Sequence, residues 1–178
     1  MNKLNLRQKL LGAAAVLVML SVTEANAQQS SDLAVTAEVP EACIIVSAAV
    51  IPMAFGILDV VTGGAGPGGD TLQSANFDWR CSQGTAVTIE LGLGTGAGTT
   101  LAQRVMTGIN TSDTLPYRLQ KTDTSDWGNT ASGTAFTAIA LGFGTPESTQ
   151  IDGIITLADS QTAEVDVYTD TVTITLLP

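Results

Sequence analysis

The sequence predicts an all-β fold, and three observations carry that prediction. Short runs alternate apolar and polar residues with a period of two, they are filled with Thr, Val and Ile, and glycine-rich turns separate them. Helical periodicity is almost absent, and no strand–helix alternation supports a parallel sheet. Short strands at this spacing fit a β-sandwich or barrel of one domain without internal repeats.

In chain order, the first element is a leader. Lys3, Arg7 and Lys9 precede an apolar stretch over residues 10–20, and Ala25-Asn26-Ala27 has the small-x-small pattern that a signal peptidase accepts. The stretch is about a dozen residues long, whereas a bilayer-spanning helix needs roughly 20, so residues 1–27 read as a secretory signal peptide. Cleavage after Ala27 leaves 151 of the 178 residues, enough for one domain with a sizeable core.

After a polar stretch at 28–31, Leu33, Val35, Ala37 and Val39 alternate with Ala34, Thr36 and Glu38 until Pro40 stops the run. This strand has one apolar face. It reads either as the first strand of its own sandwich or as a strand made for insertion into another molecule, and the pattern alone does not choose. Further strands are expected at 42–46, 77–81, 86–92, 115–120, 135–141 and 154–157, with turn-rich pieces at 62–70, 92–99, 125–133 and 144–148. The clearest strand is the last, where Tyr168, Asp170, Val172, Ile174 and Leu176 share one face and four threonines, Thr169 to Thr175, share the other. Pro178 closes it, having no N–H with which to extend a ladder.

Composition excludes several functions. The formal charge is −10, and losing Lys3, Arg7 and Lys9 together with Glu24 takes it to −12. Only Arg80, Arg104, Arg118 and Lys121 remain to meet phosphates, so nucleic acid is not an expected partner. The chain has no histidine, which leaves a catalytic thiol without its imidazole base, and two cysteines fall short of the four ligands that zinc requires. In an exported chain, Cys43 and Cys81 instead read as a disulfide closing a loop of about 39 residues. No spacing among the carboxylates selects a catalytic pair, so neither an enzyme nor a cofactor or metal is expected. Gly92 to Gly98 reads as a flexible loop, since a nucleotide loop needs a strand before it and a helix after it. Asp123, Asp126 and Asn129 could hold a cation but have turn composition. Trp79 is expected to share a strand face with Cys81 and either pack against the disulfide or sit at the sandwich edge. Trp127 is expected to cover the end of the core, with a part-exposed sugar contact as the alternative.

Several pieces taken in order resemble a known family. They are Cys43 after an alternating strand, Phe55-Gly56 in AFGILDV, FDWRC around Cys81, Arg104 with Met106 in RVMTG, YRLQKTDTSDWGN from Tyr117 to Asn129, and the terminal YTDTVTITLLP. Together they make the chain similar to the spore coat protein U domain family, pilins of archaic chaperone-usher pathways in Gram-negative bacteria. Two features depart from that pattern: Glu164 to Val167 precede the terminal tyrosine in place of a glycine beside it, and the chain closes on Leu-Leu-Pro.

The resemblance implies an incomplete immunoglobulin-like β-sandwich that lacks its last strand and is completed by donor-strand complementation. It implies residues 28–41 as a donor extension, with Leu33, Val35, Ala37 and Val39 entering the groove, and residues 42–178 as the pilin domain. The acceptor groove is then expected beside Tyr168, Val172, Ile174 and Leu176. The implied partners are other pilin subunits, a periplasmic chaperone and an outer-membrane usher. Export through the periplasm to a surface pilus, adhesion and biofilm formation complete the expectation. The alternative is a secreted monomeric binding or coat domain with residues 33–39 as its own first strand.

Overall fold

The computed structural model describes residues 29–178, so the expected leader at 1–27 lies outside the described residues. The chain divides into two units, Met1–Ala37 and Glu38–Pro178. In the first, the described residues 29–37 take neither helix nor strand. The second carries β1 (Cys43–Ile45), β2 (Thr71–Cys81), β3 (Ala86–Leu91), β4 (Arg104–Gly108), β5 (Thr114–Gln120), β6 (Phe136–Ile139), β7 (Glu147–Ile155), a short helix α1 (Leu157–Thr162), β8 (Tyr168–Thr169) and β9 (Ile174–Leu177).

These strands form two antiparallel sheets, one of six in the order β1-β2-β7-β5-β4-β8 and one of three in the order β6-β3-β9. Their facing residues form one core. On β2, Phe77, Trp79 and Cys81 turn inward at every second position, and β3 answers with Val87, Ile89 and Leu91. Trp79 is buried on the same strand face as Cys81, as expected, and its indole Nε1 donates to Thr149 Oγ1 at 2.9 Å. Trp127 is fully buried, its Nε1 donates to the Ile89 carbonyl, and its ring lies 5.5 Å from that of Phe136. That burial overturns the sugar-contact alternative for Trp127.

Arg104 is the unexpected member of this core. Its side chain is 0% exposed and donates to the carbonyls of Gly92 (2.9 Å), Leu101 (3.2 Å) and Trp127 (2.8 Å). Those carbonyls belong to turns that leave their strands, so one guanidinium supplies donors that no ladder provides. Burial pulls its pKa down, against the opposing influence of Tyr117 and Asp170.

Elsewhere the structure corrects the expected boundaries. The strand expected at 154–157 runs from Glu147 to Ile155, absorbing part of the turn expected at 144–148, and Leu157 opens α1 instead. Thr156 caps that helix by accepting from the Asp159 N–H, which ends the strand where the backbone bonds change direction. β4 follows the glycine loop at 92–98, a strand outside the expected set. The run at 33–39 was expected to be a strand and takes no ladder. The final run, expected as one strand, is divided: β8 joins the larger sheet, β9 the smaller, and residues 170–173 carry no strand assignment between them. The expected side-chain alternation survives this division, with residues 168, 170, 172, 174 and 176 half-buried and their odd-numbered neighbours exposed.

Candidate functional site: an open groove beside the C-terminal run

The division of the last run exposes one edge along its whole length. Antiparallel ladders alternate hydrogen-bonded and non-bonded pairs. Thr107 pairs with Thr169 in β8, and the Ile109 N–H donates to the Val167 carbonyl at 3.0 Å, so residues 167 and 169 turn their backbone toward β4. Further on, the Gly92 N–H donates to the Thr173 carbonyl at 2.9 Å, which places 173, 175 and 177 toward β3. The even-numbered residues from 168 to 176 therefore direct their N–H and C=O groups the other way, where no backbone partner stands among the described residues. Those same residues point their side chains inward. One strand thus offers free main-chain groups and an apolar wall at identical positions, an arrangement that invites another strand.

Beside this edge lies the inner face of the larger sheet. A cavity of about 890 Å³ opens there, floored by Leu115, Tyr117, Leu119, Ile151 and Ile155 and walled on one side by Tyr168, Val172 and Ile174. Its other wall is an extended segment without strand assignment, in which Ile51, Met53 and Phe55 turn inward at every second residue. Gly153 on β7 admits that segment: a methyl there would run into Met53 Sδ and stand 2.7 Å from Phe55 Cζ. Pro116 also suits its place. It faces Val105 as a non-bonded pair, and β5 meets β7 only from Arg118 to Gln120, so its missing N–H interrupts no ladder.

Hydrogen bonds hold the groove's end in shape. Asp170 accepts from Tyr117 Oη at 2.5 Å, from the Thr95 N–H at 2.6 Å and from Thr95 Oγ1 at 2.8 Å, tying the glycine loop at 92–98 to the groove. Desolvation works against its charge, but the bonds from Tyr117 and Thr95 outweigh it and keep the carboxyl below the ordinary range. Burial, and then the bond to Asp170, raises the Tyr117 phenol well above its usual value. Beside it, Asp166 accepts from the N–H groups of Asn110 (2.9 Å) and Thr111 (2.7 Å) and from their side chains, fastening the segment before β8 to the β4–β5 turn. The backbone bond from Thr111 leads in lowering its pKa far below the ordinary value. Tyr168 Oη donates to Asp113 Oδ2 at 3.0 Å and to the Glu164 carbonyl at 2.7 Å.

Of the residues expected at the acceptor edge, Tyr168, Val172 and Ile174 line the cavity, while Leu176 packs on the core from the same face without lining it. Leu33, Val35, Ala37 and Val39 are all exposed, at 86%, 81% and 84% for Leu33, Val35 and Val39. Cys43 and Cys81 are joined as a disulfide, directly opposite one another on β1 and β2 with Cα atoms 4.1 Å apart. They occupy a non-bonded pair, because the Ser82 N–H donates to the Ala42 carbonyl just beyond it. The candidate cation residues are spent locally: Asp123 accepts from Ser125, Asp126 faces Arg118 at 3.6 Å, and Asn129 caps the short 3₁₀ turn Thr130–Ser132. Sequence reasoning missed Met53, Tyr117 and Ile151 as groove residues, and the alternation Ile51-x-Met53-x-Phe55 was the available signal.

A two-sheet antiparallel domain with one open edge over an apolar groove is the class that this geometry defines. The sequence model of the Spore Coat Protein U domain matches residues 29–175, and the chain belongs to that family. Two solved structures share the fold. One is the CsuC–CsuE chaperone–tip adhesion subunit pre-assembly complex from archaic chaperone-usher Csu pili of Acinetobacter baumannii, 18% identical, with a TM-score of 0.52 over 78% of this chain and 40% of that chain. The present chain thus spans well under half the length of that relative. The other is a chaperone-usher pilus described for the molecular basis of rod uncoiling, 14% identical, with a TM-score of 0.53 over 84% of this chain and 96% of that one. No curated protein sequence matches this chain.

Proposed function

We propose that this chain is a structural subunit of a chaperone-usher pilus, polymerised by donor-strand exchange. The observation that carries the reading is the coincidence of free backbone and apolar wall along residues 168–176. In this reading a periplasmic chaperone first lends a strand to the groove, and residues 33–39 of the next subunit then replace it. Main-chain bonds supply strength while Leu33, Val35, Ala37 and Val39 enter successive sites, contributing on the order of 5 to 8 kcal/mol of apolar burial. A head-to-tail contact that does not close on itself yields a filament, exported through the periplasm and usher to serve surface adhesion and biofilm formation without catalysis. Family membership and the lack of any ladder at 33–39 support the same reading.

Deleting residues 28–39 and following assembly with the cognate chaperone and usher tests it. The deleted chain is expected to bind chaperone and to form no filaments, and normal filaments would overturn the proposal. Val35→Asp is expected to block polymerisation while sparing chaperone capture, since the chaperone occupies the groove and not this strand.

A further inference from the structure

Four of the five inward residues on the groove's free edge are apolar or aromatic, and Asp170 interrupts them midway. Its carboxylate is committed to Tyr117 and Thr95, so it cannot turn toward a newcomer without releasing the glycine loop. A branched aliphatic side chain seated on it would strip its remaining water and return no hydrogen bond. The residue opposite Asp170 in any inserted strand must therefore be small.

We infer that Asp170 sets the register of the incoming strand, with Ala37 of a second copy opposite it and the two strands antiparallel. This rests on the pilus-subunit reading above. Among Leu33, Val35, Ala37 and Val39, only Ala37 is small. With Ala37 opposite Asp170, Val35 faces Val172, Leu33 faces Ile174 and Val39 faces Tyr168, so every large side chain meets an apolar wall. The odd-numbered residues of the donor then turn their backbone toward the free groups of the even-numbered acceptor residues, while Pro40 falls on the outward parity where its missing N–H is harmless. Sliding the strand by two residues in either direction places Val35 or Val39 on Asp170. A parallel strand in the same register drives Glu41 against Ile174 and Leu33 toward Asp166. The antiparallel register avoids both, and its acidic meeting, Glu41 with Asp166, falls beyond the apolar run and Pro40.

The outward neighbours of this pairing are Thr36 and Thr171, the latter exposed on the acceptor, and they give a direct reading. Full-length chain carrying Thr171→Cys is combined with one of Ala34→Cys, Thr36→Cys or Glu38→Cys, and polymers are resolved on non-reducing gels. Disulfide ladders are expected for Thr36→Cys alone. Ladders for Ala34→Cys or Glu38→Cys, or for none of the three in intact polymers, overturn the register and leave donor-strand exchange standing. Failure of the unsubstituted chain to polymerise overturns the reading beneath it. In a second test, Ala37→Leu is expected to slow polymer formation by about tenfold, the scale of one unsatisfied buried polar group, while Val35→Leu changes it less than about twofold. Equal tolerance at both positions contradicts the assignment.

Discussion

The two sides of this domain are built by opposite rules. Around β2 and β3 the sheets close on each other: Trp79, Trp127, Phe77 and Arg104 are excluded from water, and their polar atoms are bonded within the core. Around residues 168–176 a cavity opens beside Leu115, Tyr117 and Ile151, and the even-numbered backbone groups meet no backbone partner among the described residues. An apolar cavity and an unpaired edge are both costly in water, so the closed side holds the chain together, and in the reading proposed above the open side takes up a strand of another molecule. In that reading stability and function fall to different halves of one sandwich.

Substitutions should separate the halves. The largest effect is expected from Trp127→Ala on the closed side. It leaves a cavity and frees the Ile89 carbonyl, lowering stability by about 3 to 5 kcal/mol in denaturant unfolding. Replacing Cys43 and Cys81 by serine is expected to cost about 2 to 4 kcal/mol by the same measurement, because the edge strand β1 is tied to β2 across 38 residues of sequence. At the groove wall, Gly153→Ala drives a methyl into Met53 and Phe55. We expect about 1 to 3 kcal/mol of destabilisation, with polymerisation slowed by more than that loss explains. Equal effects on folding and polymerisation would blur the division between the halves.

Acid gives the smallest and most local probe. The folded pKa of Asp166 lies below the unfolded value of about 3.9, so its contribution is present above about pH 5 and is lost as the pH falls through the depressed folded value. Unfolding midpoints are expected to decline on the acid side, and Asp166→Asn is expected to flatten that decline.

Much of the open side was legible because β alternation survives changes of hydrogen-bond partner. Tyr168 to Leu176 alternate in sequence, and they alternate in burial although the run leaves one sheet for the other. The transfer itself was hidden, since side-chain period says nothing about which neighbour receives the backbone bonds. The wall at Ile51, Met53 and Phe55 was hidden for a related reason: its three inward residues pack without joining a ladder, admitted by a glycine about a hundred residues away. Helix α1 is too short to show a period, and residues 154–157 read as a strand although Thr156 caps the helix that opens at Leu157. Arg104 reads as a surface charge in sequence and becomes a core residue because several turns converge on it, a coincidence of tertiary structure.

Residue-resolved amide hydrogen exchange along the last strand tests the central claim most directly. In the isolated chain, the N–H groups of Val172, Ile174 and Leu176 should exchange quickly while those of Thr175 and Leu177 are protected by β3. In the polymer both sets should be protected. Equal protection of both sets in the isolated chain, or unchanged exchange of the even-numbered set on polymerisation, would contradict an open edge filled by another molecule.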